Sequence, residues 1–259
     1  MADCSPVSIP MEPGLSLSKE QSPKTPEEKE RMSKVPYLSA VGALMYLAIC
    51  TRPDIVYAVG VLARFNSDPG EAHWKAVKHL LRYLHKTLDC ELVRGRNPAQ
   101  TSPEPFTTFS DADHARCEDD GKSTGGRCIQ VTGGAVSWSS KLQTIVALST
   151  TEAERCAAVE AGKEAIWMRQ LLQELGYALE DASTLYMDNQ SAVTVSKNPE
   201  HFGRMKHMDL RLHWLRDEVE GGKLAPKFVP TQDNPADLPT KPPAKPKVEH
   251  FRECMGLVL

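Results

Sequence analysis

The sequence predicts an α/β fold, in which a five-stranded mixed sheet is flanked by helices and preceded by a small helical segment. Beyond residue 105, short apolar runs of strand length alternate with stretches of helical periodicity, which is the pattern of α/β proteins. Between residues 37 and 88, apolar residues recur at helical spacing alone. The 259 residues are 41% hydrophobic and 25% charged, with a net charge of −3, so the chain has a globular composition with room for both units.

The helical segment, residues 37–96, follows an N-terminal stretch that holds six prolines and six serines. We expect that stretch, residues 1–36, to be a disordered linker or tail, because it has little periodic apolar content. Three helices are predicted after it, over residues 37–50, 55–65 and 71–87. The buried face of the third helix is predicted to consist of Trp74, Val77, Leu81, Leu84 and Leu88.

The second unit is expected to span residues 105–241, beyond a polar loop with two prolines. Strands are predicted over residues 106–111, 125–132, 135–139, 184–188 and 224–229. The second and third strands are expected to meet in a hairpin turn at Gly133-Gly134. Helices are predicted over residues 150–175, with a break near Gly162, and over residues 191–197 and 208–219. Residues 242–259 are expected to form a C-terminal tail.

Acidic residues stand where the predicted strands end and where the predicted helices begin. Asp111 and Asp188 close strands, Glu154 lies in the first turn of the long helix, and Asp237 opens the last helical stub. Each of these acids alone would be an ordinary turn residue or helix cap. Together at one sheet edge, they could not all stay ionised without a cation, and hard oxygen ligands prefer Mg²⁺ or Mn²⁺. The ordered set therefore predicts a metal site, and two ions there could clamp a phosphodiester.

Two glutamates compete for the place in the long helix. Glu152 and Glu154 are two residues apart and so point about 200° from each other, which lets only one face the metal site. Ala157, Ala158 and Ala161 follow Glu154 at helical spacing, and such small side chains let a helix lie close to a sheet. Glu154 is therefore the predicted ligand, and Glu152 is predicted to be an acid that favours the helix dipole.

Short blocks along nearly the whole chain resemble the C-terminal part of copia-type LTR retrotransposon Pol polyproteins, namely the end of the reverse transcriptase or connection and the RNase H domain. Before residue 97 the blocks are Val41-Gly42-Ala43-Leu44-Met45-Tyr46, Thr51-Arg52-Pro53-Asp54-Ile55 and His79-Leu80-Leu81-Arg82-Tyr83-Leu84. Beyond it they include Ser110-Asp111-Ala112-Asp113, Ser137-Trp138-Ser139-Ser140-Lys141, Ser149-Thr150-Thr151-Glu152-Ala153-Glu154, Met187-Asp188-Asn189-Gln190-Ser191 and Ala236-Asp237-Leu238-Pro239-Thr240-Lys241.

The resemblance implies an RNase H-like fold and a ribonuclease H that cleaves the RNA strand of RNA–DNA hybrids. It implies two Mg²⁺ ions, which Mn²⁺ can replace. It also implies that the metal ligands and catalytic residues are Asp111, Glu154, Asp188 and Asp237. A Tyr-x-Asp-Asp polymerase motif is absent, so we expect no intact polymerase in this chain. Expected partners are the hybrid and the polymerase part of the same polyprotein, without a membrane.

Positive charge is concentrated in residues 197–216 and 239–252, whereas residues 104–124 are acidic. Basic segments beside an acidic metal site suit phosphate binding. The predicted nucleic-acid contacts are Trp138, Lys141, Arg204, Lys206, His207, Arg211 and Lys241. The alternatives are a solvated helix face for the charged residues and a half-buried core position for Trp138.

Two other functions remain open on the sequence. A catalytically silent retrotransposon remnant would bind nucleic acid or a partner without turnover, which the missing polymerase favours and the intact set of acids disfavours. An integrase-like strand-transfer domain would carry three acids and a zinc-binding head. The seven cysteines form no CxxC pair, which predicts a reducing compartment. The acidic, proline-rich N-terminus lacks the pattern of a secretion signal, so we expect an intracellular location, in a cytoplasmic virus-like particle or the nucleus.

Overall fold

The computed structural model describes residues 4–95, 104–197 and 210–259. Its helices are α1 (Pro26–Ser33), α2 (Tyr37–Cys50), α3 (Val56–Ala63), α4 (Glu71–Lys86), α5 (Thr150–Glu174), α6 (Gln190–Lys197), α7 (Leu210–Glu220) and α8 (Lys245–Cys254). Its strands are β1 (Glu91–Leu92), β2 (Thr107–Ala112), β3 (Thr124–Val131), β4 (Gly134–Leu142), β5 (Ser183–Met187), β6 (Leu224–Phe228) and β7 (Leu257–Val258). Short 3₁₀ turns lie at Pro53–Ile55, Thr231–Asp233 and Pro235–Asp237, among others.

The alternating segments beyond residue 105 form one five-stranded sheet in the order β4-β3-β2-β5-β6. Strands β2, β3 and β4 are antiparallel neighbours, whereas β5 runs parallel to both β2 and β6. Helices α5 and α7 cover one face with apolar side chains, and α8 with the segment around Leu238 covers part of the other. The predicted architecture, an α/β fold with a five-stranded mixed sheet flanked by helices, is confirmed.

The hairpin between β3 and β4 turns one residue earlier than the sequence predicts. Val131 pairs with Gly134, so the two turn residues are Thr132 and Gly133. Both have positive φ, 49° and 79°, which a two-residue turn between right-twisted strands requires. Gly134 instead belongs to β4, where a Cβ would lie 2.5 Å from the Val93 carbonyl oxygen. Gly133 therefore allows the turn, and Gly134 allows the close approach of β4 to Val93.

Helix α5 is continuous, so the predicted break near Gly162 is wrong. A Cβ at Gly162 would lie 3.1 Å from Leu224 Cδ1 and 3.2 Å from Leu215 Cδ1. The glycine thus lets α5 pack closely against β6 and α7. Glycine in a helix interior destabilises the helix by about 1 kcal/mol relative to alanine, and the close packing of α5 offsets this loss.

Helices α2, α3 and α4 form a separate apolar core, as the sequence predicts, but α4 buries a different face. Its buried residues are His73, Ala76, Val77, Leu80 and Tyr83. Trp74, Leu81 and Leu84 are only partly buried at the margin of that core, and Leu88 is exposed. Two neighbouring apolar stripes run along α4, and contact with α2 and α3 decides between them.

Both predicted tails are wrong for the described residues, because each docks on an existing core. In the N-terminal stretch, Met11 is buried in the core of the helical segment, and the Ser18 carbonyl oxygen lies 3.1 Å from His73 Nε2. At the C-terminus, α8 buries Val248 and Phe251. Strand β7 then pairs with β1 as a two-stranded sheet. A few buried apolar side chains are enough to order each terminal segment, because they pack on a core that the other elements have already formed.

A buried polar network ties the helical segment together. Arg52 donates to both carboxylate oxygens of Asp54, at 2.9 and 2.8 Å, and to Thr87 Oγ1 at 2.7 Å. The hydroxyl of Tyr83 donates to Asp54 at 2.6 Å and in turn accepts from Arg252 of α8 at 3.3 Å. The network therefore connects α8 to the core of the helical segment, whose Tyr83 lies 169 positions before Arg252 in the chain.

No single helix in the described ranges is long and apolar enough to cross a membrane. Helices α1 and α2 pass the length and composition test only as a pair, bent by 50°.

Candidate active site

Three of the four predicted carboxylates come together at the edge where the parallel strands end. Asp111 lies near the end of β2, and Asp188 directly follows β5, whose Met187 pairs with Ser110. Glu154 reaches the same place from near the start of α5. Each of the three can offer one carboxylate oxygen such that these atoms all lie within 4.8 Å of one another. The topology thus assembles one acidic cluster from three elements that are distant in sequence.

The start of α5 separates the two glutamates as the helical spacing predicts. Ser149 caps the helix and accepts from the Glu152 backbone N–H at 3.2 Å. The Glu152 carboxylate accepts from the Leu148 N–H at 2.8 Å, so it stays outside the cluster. Glu154 is 6% exposed and accepts from the backbone N–H of Ala112. The alanines that follow Glu154 on its face are buried against the sheet, as predicted.

Asp237 is placed by a turn that packs directly on the sheet. Asn234 caps this turn by accepting from the Ala236 N–H at 3.2 Å, and its side-chain amide donates to the Ser110 carbonyl at 3.0 Å. A Cβ at Gly126, the partner of Asp111 on β3, would lie 2.8 Å from the Ala236 carbonyl oxygen. Gly126 therefore leaves the space through which Asp237, fully buried, approaches Asp111.

Two side chains next to Asp237 complete the surroundings of Asp111. Thr240 donates a hydrogen bond to Asp111 Oδ2. Lys241 forms an ion pair with Asp237, and its ammonium lies 4.0 Å from Asp111 Oδ2. Asp188, half-buried, accepts from the Thr231 hydroxyl at 2.8 Å. The cluster is thus held by hydroxyl donors and by one ammonium among the described residues.

Burial and mutual repulsion oppose ionisation of the cluster. Burial raises the pKa of Asp111 to about 7, an effect that Lys241 and the Thr240 hydrogen bond reduce and that Asp188 adds to. Burial also raises the pKa of Glu154, and the neighbouring charges of Asp111 and Asp188 raise it further. The shared cause is that the folded chain holds several acids in one poorly solvated place.

The cluster fits a divalent cation on its donor set. It offers carboxylate oxygens, the ligands that Mg²⁺ and Mn²⁺ prefer. Glu154 Oε2 and Asp237 Oδ2 are buried without a hydrogen-bond partner. Buried acceptors are rarely left in that state unless another group satisfies them, and a cation between the acids would do so while relieving their repulsion.

Asp111→Asn is expected to stabilise the metal-free protein at pH 8. The folded-state pKa of Asp111 lies above the value of about 4 in an unfolded chain, so the acid favours folding while protonated. That contribution is complete below pH about 4 and is lost as the pH rises through about 7. Thermal unfolding in EDTA should therefore show a higher Tm for the variant at pH 8 and a much smaller difference at pH 4. A wild-type Tm at pH 8 equal to or above that of the variant would contradict this electrostatic account.

The predicted nucleic-acid contacts have different outcomes. Lys141 is exposed on β4, where it pairs with Gly125 of β3, and Lys241 lies beside Asp237 and Asp111. Arg204, Lys206 and His207 lie outside the described residues, and Arg211 lies in α7.

Trp138 takes the alternative role, in the core. Its indole N–H donates to the Ala48 carbonyl at 2.7 Å, and its ring packs between the helical core and the core under α8. The side chain therefore joins the two units, in the half-buried position that the sequence offered as the alternative, and stacking on a nucleic acid stays a prediction.

A groove lies between the β3–β4 hairpin and α5. Its cavity volume is about 270 Å³. Gly125, the partner of Ala112, lines it together with Lys141 of β4 and Lys163 of α5, and Lys163 forms an ion pair there with Glu160 at 2.8 Å. The exposed ammonium of Lys141 in this groove would suit a contact with a phosphate backbone.

Sequence reasoning missed the residues that hold the acids in place. Asn234 and Thr240 are both fully buried, and Thr231 bonds Asp188. A signal existed for Asn234, because asparagine before Pro235 is a typical helix-capping pattern. No local pattern pointed to Thr240, whose partner Asp111 lies 129 positions away in the chain.

Comparison with known proteins gives long matches to transposon polyproteins and no matching protein-family model. Over 258 residues the chain is 47% identical to the retrovirus-related Pol polyprotein from transposon TNT 1-94 of Nicotiana tabacum, covering 99% of this chain and 19% of that protein. It is 35% identical over 258 residues to the corresponding polyprotein from transposon RE2 of Arabidopsis thaliana, covering 17% of it. The chain therefore spans about a fifth of the length of these curated relatives.

A shorter relative matches part of the chain. A protein of Plasmopara viticola named secreted RxLR effector protein 161 is 47% identical over 137 residues, which are 53% of this chain and 94% of that protein. Among solved structures, LC11-RNase H1 in complex with an RNA/DNA hybrid is 17% identical and covers 52% of this chain and 93% of its own, with a TM-score of 0.35. The foamy viral protease-reverse transcriptase in complex with an RNA/DNA hybrid is 13% identical and covers 80% of this chain and 27% of its own, with a TM-score of 0.40.

Proposed function

We propose that the chain is the ribonuclease H part of a retrovirus-related Pol polyprotein and that it cleaves the RNA strand of RNA–DNA hybrids, because it is 47% and 35% identical to such polyproteins from two plant transposons. The proposal includes a copia-type element, a C-terminal position in the polyprotein and a requirement for Mg²⁺ or Mn²⁺. Its natural partners are the hybrid and the polymerase part of the same polyprotein.

The observation that carries this proposal is the convergence of Asp111, Glu154 and Asp188 at one edge of an RNase H-like sheet. Holding three acids together, two of them buried, lowers the stability of the fold when they are ionised. The raised pKa values of Asp111 and Glu154 have the same cause. Such a cluster is retained where a cation bound by it does chemistry.

The chain's own residues orient the cluster. Thr240 fixes the carboxylate of Asp111, and Thr231 fixes that of Asp188, so both ligands keep one direction at the sheet edge. Glu154 reaches the cluster from α5, the third element, and accepts from the backbone N–H of Ala112. A bound divalent ion would activate a water molecule for attack on phosphorus and stabilise the leaving oxygen. Lys141, exposed in the groove, is placed to hold the substrate backbone.

The proposal is tested with the purified chain and a labelled RNA–DNA hybrid. We expect cleavage of the RNA strand with Mg²⁺ or Mn²⁺, no cleavage of duplex DNA, and complete loss of activity with a chelator. Asp188→Asn removes a ligand while keeping the shape and the Thr231 contact, so it is expected to abolish cleavage. Gel analysis of the products and circular dichroism of the variant are the two measurements.

The silent-remnant alternative makes the opposite prediction in the same assay. A wild-type chain that binds the hybrid at all metal concentrations and never cleaves it would support that alternative. Cleavage that persists in the chelator, or in Asp188→Asn at the wild-type rate, would contradict the metal mechanism.

A further inference from the structure

Lys241 occupies the part of the acidic cluster that the other described cations do not reach. Its ammonium is in contact with Asp237 and 4.0 Å from Asp111 Oδ2. Asp237 is fully buried, whereas the lysine side chain is 30% exposed, so the ammonium stands between the acid and solvent. Burial of the Asp237 carboxylate is thus compensated by a charge that the chain itself supplies.

The four acids consequently fall into two unequal halves. Asp111, Glu154 and Asp188 can bring one oxygen each within 4.8 Å of the others, and Asp237 does not belong to that set. Neither Glu154 nor Asp188 forms an ion pair in the described part of the chain. One half, which Lys241 reaches only at Asp111 Oδ2 at 4.0 Å, is therefore open to a metal ion, and the other half already holds a cation.

We propose that Lys241 is the resident cation of the Asp237 half and that it controls the binding of a second metal ion there. An ion between Asp111 and Asp237 must displace the ammonium from Asp237, because two cations at this separation repel each other. The first ion, on the open half, has no ammonium to displace from Glu154 or Asp188. This inference rests on the proposed function in that the cluster must bind metal at all.

The competing role for Lys241 is a contact with the nucleic-acid backbone, which the sequence alone suggested. A lysine with that role alone would affect hybrid affinity and its salt dependence. It would leave ion binding in the absence of nucleic acid unchanged. The two roles therefore separate in a metal titration without substrate.

The decisive experiment is a titration of the full chain with Mn²⁺ in the absence of nucleic acid. Binding is measured by calorimetry and by the electron paramagnetic resonance signal of free Mn²⁺. The wild-type chain is expected to bind one ion and then a second more weakly. Lys241→Gln should raise the affinity for the second ion at least about tenfold, because a competing charge is gone. Lys241→Arg keeps the charge and should keep the second ion weak.

Lys245→Gln is the matched control, since it removes the same charge nearby, from an exposed pair with Glu249 at 3.7 Å. It is expected to leave both affinities unchanged. The double variant Lys241→Gln with Asp237→Asn removes the competitor and the ligand together, so it should bind the first ion only. An unchanged second affinity in folded Lys241→Gln would overturn the inference alone. Absence of any ion binding in all of these proteins would contradict the proposed function as well.

A measurement on the wild-type chain does not depend on how well Lys241→Gln folds. The ammonium of Lys241 can be followed as a side-chain ¹H–¹⁵N resonance during addition of diamagnetic Mg²⁺ and assigned by its loss in Lys241→Arg. We expect the signal to change with the second equivalent of ion, when Asp237 is taken over. A signal that completes its change with the first equivalent, or never changes, would overturn the inference.

Discussion

Glu154→Gln is expected to lower the rate of hybrid cleavage about a hundredfold or more, whereas Glu152→Gln leaves it nearly unchanged. Glu154 is buried in the acidic cluster, where its carboxylate charge would help to hold the metal ion of the proposed mechanism. Glu152, two residues earlier on the same helix, accepts from the Leu148 N–H outside the cluster. The measurement is single-turnover cleavage of a labelled RNA–DNA hybrid at saturating Mg²⁺.

The two variants control for each other, because both replace one glutamate by glutamine in the same helical turn. Loss of the Glu152 charge should cost about 0.3–1 kcal/mol of stability through the helix dipole and no activity. The opposite pattern, an inactive Glu152→Gln and an active Glu154→Gln, would show that the wrong face of α5 has been assigned to the cluster.

Arg52→Met is expected to lower the free energy of unfolding by about 3–5 kcal/mol. Its side chain is 8% exposed and its partner Asp54 is 0% exposed, so the substitution leaves a buried carboxylate without its cation. The bonds of Arg52 to Thr87 are lost as well. Urea unfolding, followed by circular dichroism at pH 7, measures the difference.

Lys34→Met is the control for this prediction, since it breaks an exposed ion pair with Glu30 at 2.9 Å. Exposed pairs contribute about 0–1 kcal/mol, so this variant should unfold close to the wild type. Equal destabilisation by the two substitutions would refute the assigned role of the buried network. Because Arg252 of α8 contacts the same network through Tyr83, Arg52→Met should also increase proteolysis near the C-terminus.

Some features were determined by local sequence because their physical cause is local. The alternation of apolar and polar residues sets strands and helices through periods of two and 3.6, which is why the order of the sheet elements could be predicted. Glu154 was distinguishable from Glu152 for the same reason: the alanines that follow it at helical spacing identify the face that lies on the sheet.

Other features depend on which distant surfaces meet, and the sequence carries no local signal for them. The choice between two apolar stripes on α4 is made by the surfaces of α2 and α3. The two-residue strands β1 and β7 exist only as partners of each other, because a pair so short has no stability alone.

The site shows the same division. The four acids and the order in which they occur were visible in the sequence, since side chains at the carboxyl ends of parallel strands share one edge. The pairing of Asp237 with Lys241 and the approach of both to Asp111 were decided by tertiary structure. Both contacts depend on the turn at Pro235–Asp237, which passes close over Gly126 of β3. The Coulomb interaction between the lysine and the two acids is set by the distances between these chain segments, and no local sequence pattern specifies those distances.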